Sequence, residues 1–503
     1  MEERKNNIPP YLIPEERRGF PTGKREMIFL AVILAGTLAM ANSVYAGGFN
    51  LGFSIAVIWC MAASVGYLLA GGYRGNGYIW AILGLCGVIA AGFARSDDGF
   101  VKFVMICFLL TGGNLALGIM AGQNRRDPGG VRSLLDAPRT LFVFGVEKMN
   151  EAFRGVGKFF RDGGEASRRT GAILAGAAIA VPVLAVVIPL LISADAAFSG
   201  VMDLLPDFEL AELVATVFFG GILFAVLYTR GVSLKHREKN LSPEKEGKRL
   251  HPATVNTVLT AVCFVYLVYL VSQLAYFVGG FSGFLPEGYS TAEYARRGFF
   301  EMAWLCAINL GIMTFSMGLV ARQEKAPKMT RLLCLFIGSV TLFLVAASCA
   351  KMVMYIGTYG LTRLRVLTMT IIVFLGITTA LVSVWLFVPK LQYMKVITIV
   401  GLAMGAAVFW MDVDTQVAKY NVNAYLSGKL ETVDVHHLGN LGSGAVPYIE
   451  MLIDAPDKSV AETAEELLEN WYISWDGDIR GWNYVNLKAE DILERYQESE
   501  QER

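Results

Sequence analysis

About eleven apolar stretches, each roughly the twenty residues that a helix needs to cross a hydrocarbon core, run through this chain. They lie at 27–45, 49–70, 78–94, 100–121, 171–192, 211–228, 253–278, 298–321, 332–355, 366–388 and 396–411. Backbone polar groups in lipid are satisfied only inside helices or closed barrels. These runs are continuous rather than alternating, which selects helices. The expected fold is all-α, a polytopic transmembrane helical bundle. With 54% hydrophobic and only 17% charged residues, the chain is too apolar to be soluble at this length. No basic face with interleaved aromatics is present, which excludes a nucleic-acid partner. All seven cysteines fall inside apolar runs without a Cys-x-x-Cys pair, so they read as small packing hydrophobes.

Lysine and arginine set the orientation, because they gather in loops that remain cytoplasmic. The N-terminal segment carries Arg4, Lys5, Arg17, Arg18, Lys24 and Arg25. The loop after the fourth run is basic from Arg125 to Arg169, the one after the sixth holds Arg230, Lys235 and Arg237, and the one after the eighth holds Arg322 to Arg331. Loop 194–210 has no lysine or arginine. About eleven crossings then put the N-terminus inside and the C-terminus outside. Arg363 and Arg365 dissent, in a loop that falls outside.

The organisation expected is a cytoplasmic segment (1–26), a first four-helix transmembrane group (27–121), a cytoplasmic loop (122–170), a seven-helix group (171–411) and an acidic tail (412–503). Within the loop, Phe142, Val146, Met149, Phe153, Val156 and Phe160 recur at helical spacing. This makes 139–161 an amphipathic helix in the headgroup plane against anionic lipid. Pro182 and Pro189 predict a kink in the fifth run. The pairs Gly118/Gly122 and Gly401/Gly405 predict close helix crossings, and Asn114, Gln273 and Asn309 predict interhelical hydrogen bonds. The tail reads as a small helical domain, with Asp457 capping one helix and Leu487, Ile492, Leu493 and Tyr496 lining another.

An ionisable group at the bilayer centre costs about 2.5–3.5 kcal/mol on insertion scales, so such groups mark function. Glu301 sits one turn into the eighth run and Lys351 one turn from the end of the ninth. Glu293, Arg296, Arg297, Arg363, Arg365, Asp412 and Asp414 fall at the same outer level, with Asp195 nearby. These nine residues from Glu293 to Asp414 are the candidates for an external polar pocket. The competing reading has Lys351 snorkelling and Glu301 pairing locally with an arginine. Other motifs are weaker. Ser348-Cys-Ala-Lys351 matches Ser-x-x-Lys without companion motifs. Adjacent histidines such as His436 and His437 do not share a helix face and make a poor metal site. The glycines from Gly71 to Gly77 read as an inter-helix turn.

Several local strings, taken together, resemble an uncharacterised family of bacterial polytopic membrane proteins, of the domain-of-unknown-function 4173 type. They are Ser193-Ala-Asp-Ala-Ala-Phe198, Glu293-Tyr-Ala-Arg-Arg-Gly-Phe-Phe300, Tyr359-Gly-Leu-Thr-Arg-Leu-Arg365, Asp414-Thr-Gln-Val-Ala-Lys-Tyr-Asn421 and Gly444-Ala-Val-Pro447. The resemblance implies a multi-pass place in the bacterial cytoplasmic membrane and carries no catalytic residues.

Three functional classes follow. The first is a non-enzymatic envelope or sensory and regulatory protein acting through its external pocket. The alternatives are a secondary transporter of a small solute, or a membrane enzyme acting on lipid or glycan headgroups at the outer face. Transporters keep polar groups near the midplane, whereas the charges here sit at the outer margin. The sequence calls for no cofactor and names no protein partner beyond the lipid bilayer.

Overall fold

The computed structural model describes residues 23–123, 210–236, 250–281, 299–320, 327–473 and 477–501, with single positions between 138 and 187. The expected fifth run with its two prolines and the loop helix at 139–161 lie outside the described residues, those single positions aside. Among the described residues the chain is helical throughout, without a strand. Ten helices among the described residues are long and apolar enough to cross a membrane. They are α1 (Lys24–Gly47), α2 (Leu51–Ala70), α3 (Gly77–Ala91), α4 (Gly99–Met120), α5 (Leu210–His236), α6 (Pro252–Phe281), α7 (Phe299–Val320), α8 (Lys328–Tyr359), α9 (Arg363–Trp385) and α10 (Tyr393–Met411). The chain is a multi-pass membrane protein.

Polar residues define several helix starts. Asn76 accepts from the Ile79 N–H at 3.0 Å and Asp98 from that of Val101 at 2.6 Å. Each satisfies a donor that the first helical turn leaves open. The residues 71–76 form the turn expected between α2 and α3. Helix α5 overruns its apolar run, so Arg230 and Lys235, expected in a loop, lie in the helix. Charge does not end α5 because both side chains find partners: Lys235 pairs with Glu26 at 2.7 Å, and Arg230 donates to Asn114 at 2.9 Å.

Helix α1 packs on α2 and α5, while α3 packs on α4 and α10. Helices α6, α7, α8 and α9 form a second group. Helix α10 joins the two: Leu402, Ala406 and Phe409 belong to the first core, and Tyr393, Met394 and Ile397 to the second. The expected close crossing at Gly401 and Gly405 takes a different form, with the rings of Phe374 and Phe108 lying against them. Asn309 is the interhelical bond expected, accepting from the Tyr266 hydroxyl at 2.6 Å and donating to Thr341 at 3.0 Å. Trp304, Phe264 and Phe315 are exposed, as lipid-facing side chains of a membrane bundle are.

The tail continues from α10 through α11 (Val413–Leu426), α12 (Val435–Gly439), α13 (Val446–Glu450), α14 (Lys458–Glu469) and α15 (Tyr484–Gln501). Asp457 caps α14 through the Ser459 N–H at 2.9 Å, and Ala464 and Leu468 are buried. On α15, Ile492 and Leu493 are buried while Leu487 is exposed. The tail core, including Val417, Leu438, Val446 and Ile449, is continuous with the bundle core. The tail also bonds directly to helix ends. Arg480 donates to Asn42 at 2.6 Å and pairs with Glu212 at 2.8 Å, and Asn483 donates to the Ser96 carbonyl at 2.9 Å. Gly47 has to be glycine here, since a Cβ on it would lie 2.5 Å from the Gly481 backbone. The end of α1, the starts of α2, α4 and α5, and the tail therefore share one face.

Candidate functional site

One guanidinium organises the tail face. Arg363, the first residue of α9, directs Nε and Nη2 onto the two oxygens of Asp414 at 2.7 and 2.8 Å. Its Nη1 meets Asp98 at 2.5 Å. Asp98 is also the cap of α4 and Asp414 lies in the first turn of α11, so one side chain ties three helices. The fork matches carboxylate geometry, which a lysine would not. Arg365 is held differently. It donates to the Tyr359 carbonyl at 3.0 Å and to that of Gly360, and lies 4.2 Å over the Tyr355 ring. It thus occupies the negative end of α8. The two arginines that defy the charge bias are thus each held by the protein, Arg363 by carboxylates and Arg365 by the carbonyls that end α8.

Lys351 lies eight residues before the end of α8, about 12 Å along its axis. Glu301 belongs to the start of α7, but its side chain lies outside the described residues, as do Glu293, Arg296 and Arg297 altogether.

Beside the Arg363 clamp is a polar cavity of about 240 Å³ between the helix ends and the tail. Arg95, Asp412, Thr415, Tyr448, Tyr484 and Lys488 line it. Asp412 joins α10 to α11 at φ +52°, the one non-glycine positive φ among the described residues. That conformation is unfavourable for a side-chain-bearing residue, and here the Asp412 carboxylate accepts from the Thr415 hydroxyl. Gly444 lets the tail loop reach this junction, because a Cβ there would meet the Thr415 hydroxyl and lie 3.1 Å from Asp412 Oδ2. Arg95 donates to the Trp410 carbonyl at 2.7 Å and lies 5.0 Å over the Tyr484 ring. Lys488 reaches the same ring at 5.0 Å and draws the Tyr484 pKa down. Arg95, Asp98, Tyr484 and Lys488 were missed from sequence. The 95–98 turn carried a signal, since Arg95, Asp97 and Asp98 are charged residues in a four-residue connection between two apolar runs.

Burial raises the Asp412 carboxyl above the usual range. It pushes Asp414 up to about 6, with Asp98 and Asp412 adding to the effect and Arg363 opposing it. The folded value lies above the unfolded value of about 4. The folded state therefore binds this proton more tightly, and its contribution is full below about pH 4 and lost as pH rises toward 6. Wild type is expected to gain stability relative to Asp414→Asn as pH falls from 6 to 4. The gain is at most about 3 kcal/mol, at 1.36 kcal/mol per unit. Denaturation of both proteins at the two pH values checks it, and a pH-independent difference would return Asp414 to the ordinary range.

A polytopic helical bundle with a polar site under a docked tail is the class these features define. Within it, a family model described as domain of unknown function (DUF4153) matches residues 81–452, most of the chain, and the chain belongs to that family. The match supports the kind of family that the local strings indicated, an uncharacterised one of polytopic membrane type, under this description rather than the 4173 type. Comparison with curated proteins and with solved structures gives no match.

Proposed function

We propose that this chain is a non-enzymatic envelope protein of the sensory or regulatory kind, whose tail reads a small anion-bearing solute at the external pocket. The observation that carries this reading is the shared wall of the 240 Å³ cavity: Arg95 and Asp412 come from the membrane helix ends, and Tyr448 and Lys488 from the tail. A solute held there bears on how the tail sits on the bundle. Two cations beside one carboxylate favour a ligand with a net negative group.

The same reading places the protein in a bacterial cytoplasmic membrane with eleven spans and the tail outside. The lysine and arginine distribution supports that orientation. The path of the chain supports the span count: α4 runs away from the tail face and α5 begins on it, which calls for one further crossing between them. A reporter fused after Met411 should behave as exported.

The solute reading is tested with the full chain in neutral detergent, following protease release of the tail with inorganic phosphate, acetate or glutamate present. At least one should slow cleavage in wild type and lose its effect in Arg95→Ala/Lys488→Ala. Equal responses of the two proteins to all three would remove the pocket from the function.

A further inference from the structure

A second cavity, of about 780 Å³, lies inside the membrane region between α1, α2, α4 and α5. This is toward the upper end of the range of small-molecule sites. Its walls are apolar, with Met40, Phe53, Leu117 and Leu223 among them. Along α5 the lining runs from Ala215 to Arg230, about 22 Å at 1.5 Å per residue. Water finds few partners in such a shaft, so it is not a stable filling.

The polar groups gather at one end. Arg230, only 7% exposed, lies six residues from the end of α5. Its neighbours Asn114 and Ser64 are each six residues from the ends of α4 and α2. All three therefore sit about 9 Å inside the face opposite the tail. Arg230 donates to Asn114 Oδ1 at 2.9 Å and to the Ser64 hydroxyl at 3.3 Å, and its Nε has no partner. Both acceptors are neutral. Among the described residues no carboxylate pairs with Arg230, although arginine keeps its charge at any ordinary pH. Every other clamped arginine described above has carboxylates or a helix C-terminus to meet it.

We propose that this cavity is a binding site for an anionic membrane lipid, with an acyl chain in the shaft and the acidic headgroup against Arg230. The lining supplies a side entrance from the bilayer: Phe219 on α5 is 58% exposed, and Leu110 on α4 and Ile222 on α5 are exposed beside it. A lipid can thus enter laterally, its head at the level of one leaflet and its chain directed toward the midplane. The inference is independent of the tail pocket, which lies on the opposite face.

Gly113 gives a clean probe, since it lines the cavity and a Cβ built on it meets no atom within 4 Å. The purified full chain is titrated with palmitoyl-oleoyl phosphatidylglycerol, with the phosphatidylcholine of the same chains, and with inorganic phosphate, reading bound lipid by native mass spectrometry and the melting temperature. Phosphatidylglycerol should bind about tenfold tighter than phosphatidylcholine, a difference of about 1.4 kcal/mol, and raise the melting temperature. Arg230→Met should abolish that preference while leaving the basic loops intact. Gly113→Leu should weaken both lipids about tenfold, and because it fills open space it decides the question even if Arg230→Met does not fold. Equal binding of the two lipids by wild type, unchanged lipid binding by Gly113→Leu, or a shift by phosphate alone as large as that by phosphatidylglycerol would overturn the proposal.

Discussion

Arg363→Ala is expected to lower stability by about 3 kcal/mol and to make the tail an easy protease substrate. The figure sits at the low end of the roughly 3–5 kcal/mol for breaking a buried pair, because the Arg363 side chain is itself 32% exposed. The cost comes from what stays behind. Asp98 and Asp414 are almost fully buried, and without the guanidinium they face each other across a site that water reaches poorly. The Asp98 cap of α4 survives the substitution, so the loss falls on the junction of α4, α9 and α11 rather than on one helix. Denaturation in detergent measures the total, and cleavage within 412–503 measures tail release. Arg363→Ala/Asp414→Ala should cost less than the sum of the single changes, since the second removes a stranded charge. A loss below about 0.5 kcal/mol with strict additivity would reduce the clamp to an ordinary surface pair.

Hydropathy exposed the spans because lipid demands continuous apolar runs, and nine of the eleven stretches reappear as helices at nearly the expected positions among the described residues, with α5 a tenth that runs well past its expected end. Its blind spot is the charged end of a helix. Arg230 and Lys235 were assigned to a loop because a charge ends an apolar window, yet a charge with partners in neighbouring helices ends nothing. Those partners, Glu26 and Asn114, are more than a hundred residues away in sequence, and no local pattern connects them. The site shows the same division. That Arg363 needed either an acidic partner or an anionic headgroup was legible from its position against the charge bias, and Asp414 was among the candidates. That Asp98 would complete the clamp depended on α3 and α4 returning to the face where α9 begins. The polar cavity was least legible, since its walls come from four segments, at 95, 411–416, 443–448 and 484–488, that only the docked tail brings together. For Lys351 the helix outlasts the apolar run: α8 continues to Tyr359, four residues past it, so the lysine lies about two turns from the helix end.

On the opposite face, Glu26→Ala is expected to cost about 3–5 kcal/mol, the range for removing one partner of a buried ion pair. Glu26 and Lys235 are 2.7 Å apart with side chains only 7% and 12% exposed, and the Tyr67 hydroxyl donates to the same carboxylate oxygen at 3.1 Å. The pair fastens the start of α1 to the end of α5, where Gly231 lies against the Phe29 ring and Phe29 stacks on Tyr67 at 4.2 Å. Without the carboxylate, the Lys235 ammonium keeps only the Tyr67 face, 4.4 Å away, an attraction of about 1–2 kcal/mol when desolvated. Replacing both charges should be far milder, because apolar groups of similar volume often substitute for a buried pair at little cost. The double-mutant cycle of Glu26→Ala and Lys235→Met, read by thermal denaturation, should therefore show a coupling of at least about 1 kcal/mol. If the single change at Glu26 is mild and the cycle additive, Lys235 reaches the interface alone, and α1 is held to α5 by its aromatic packing instead.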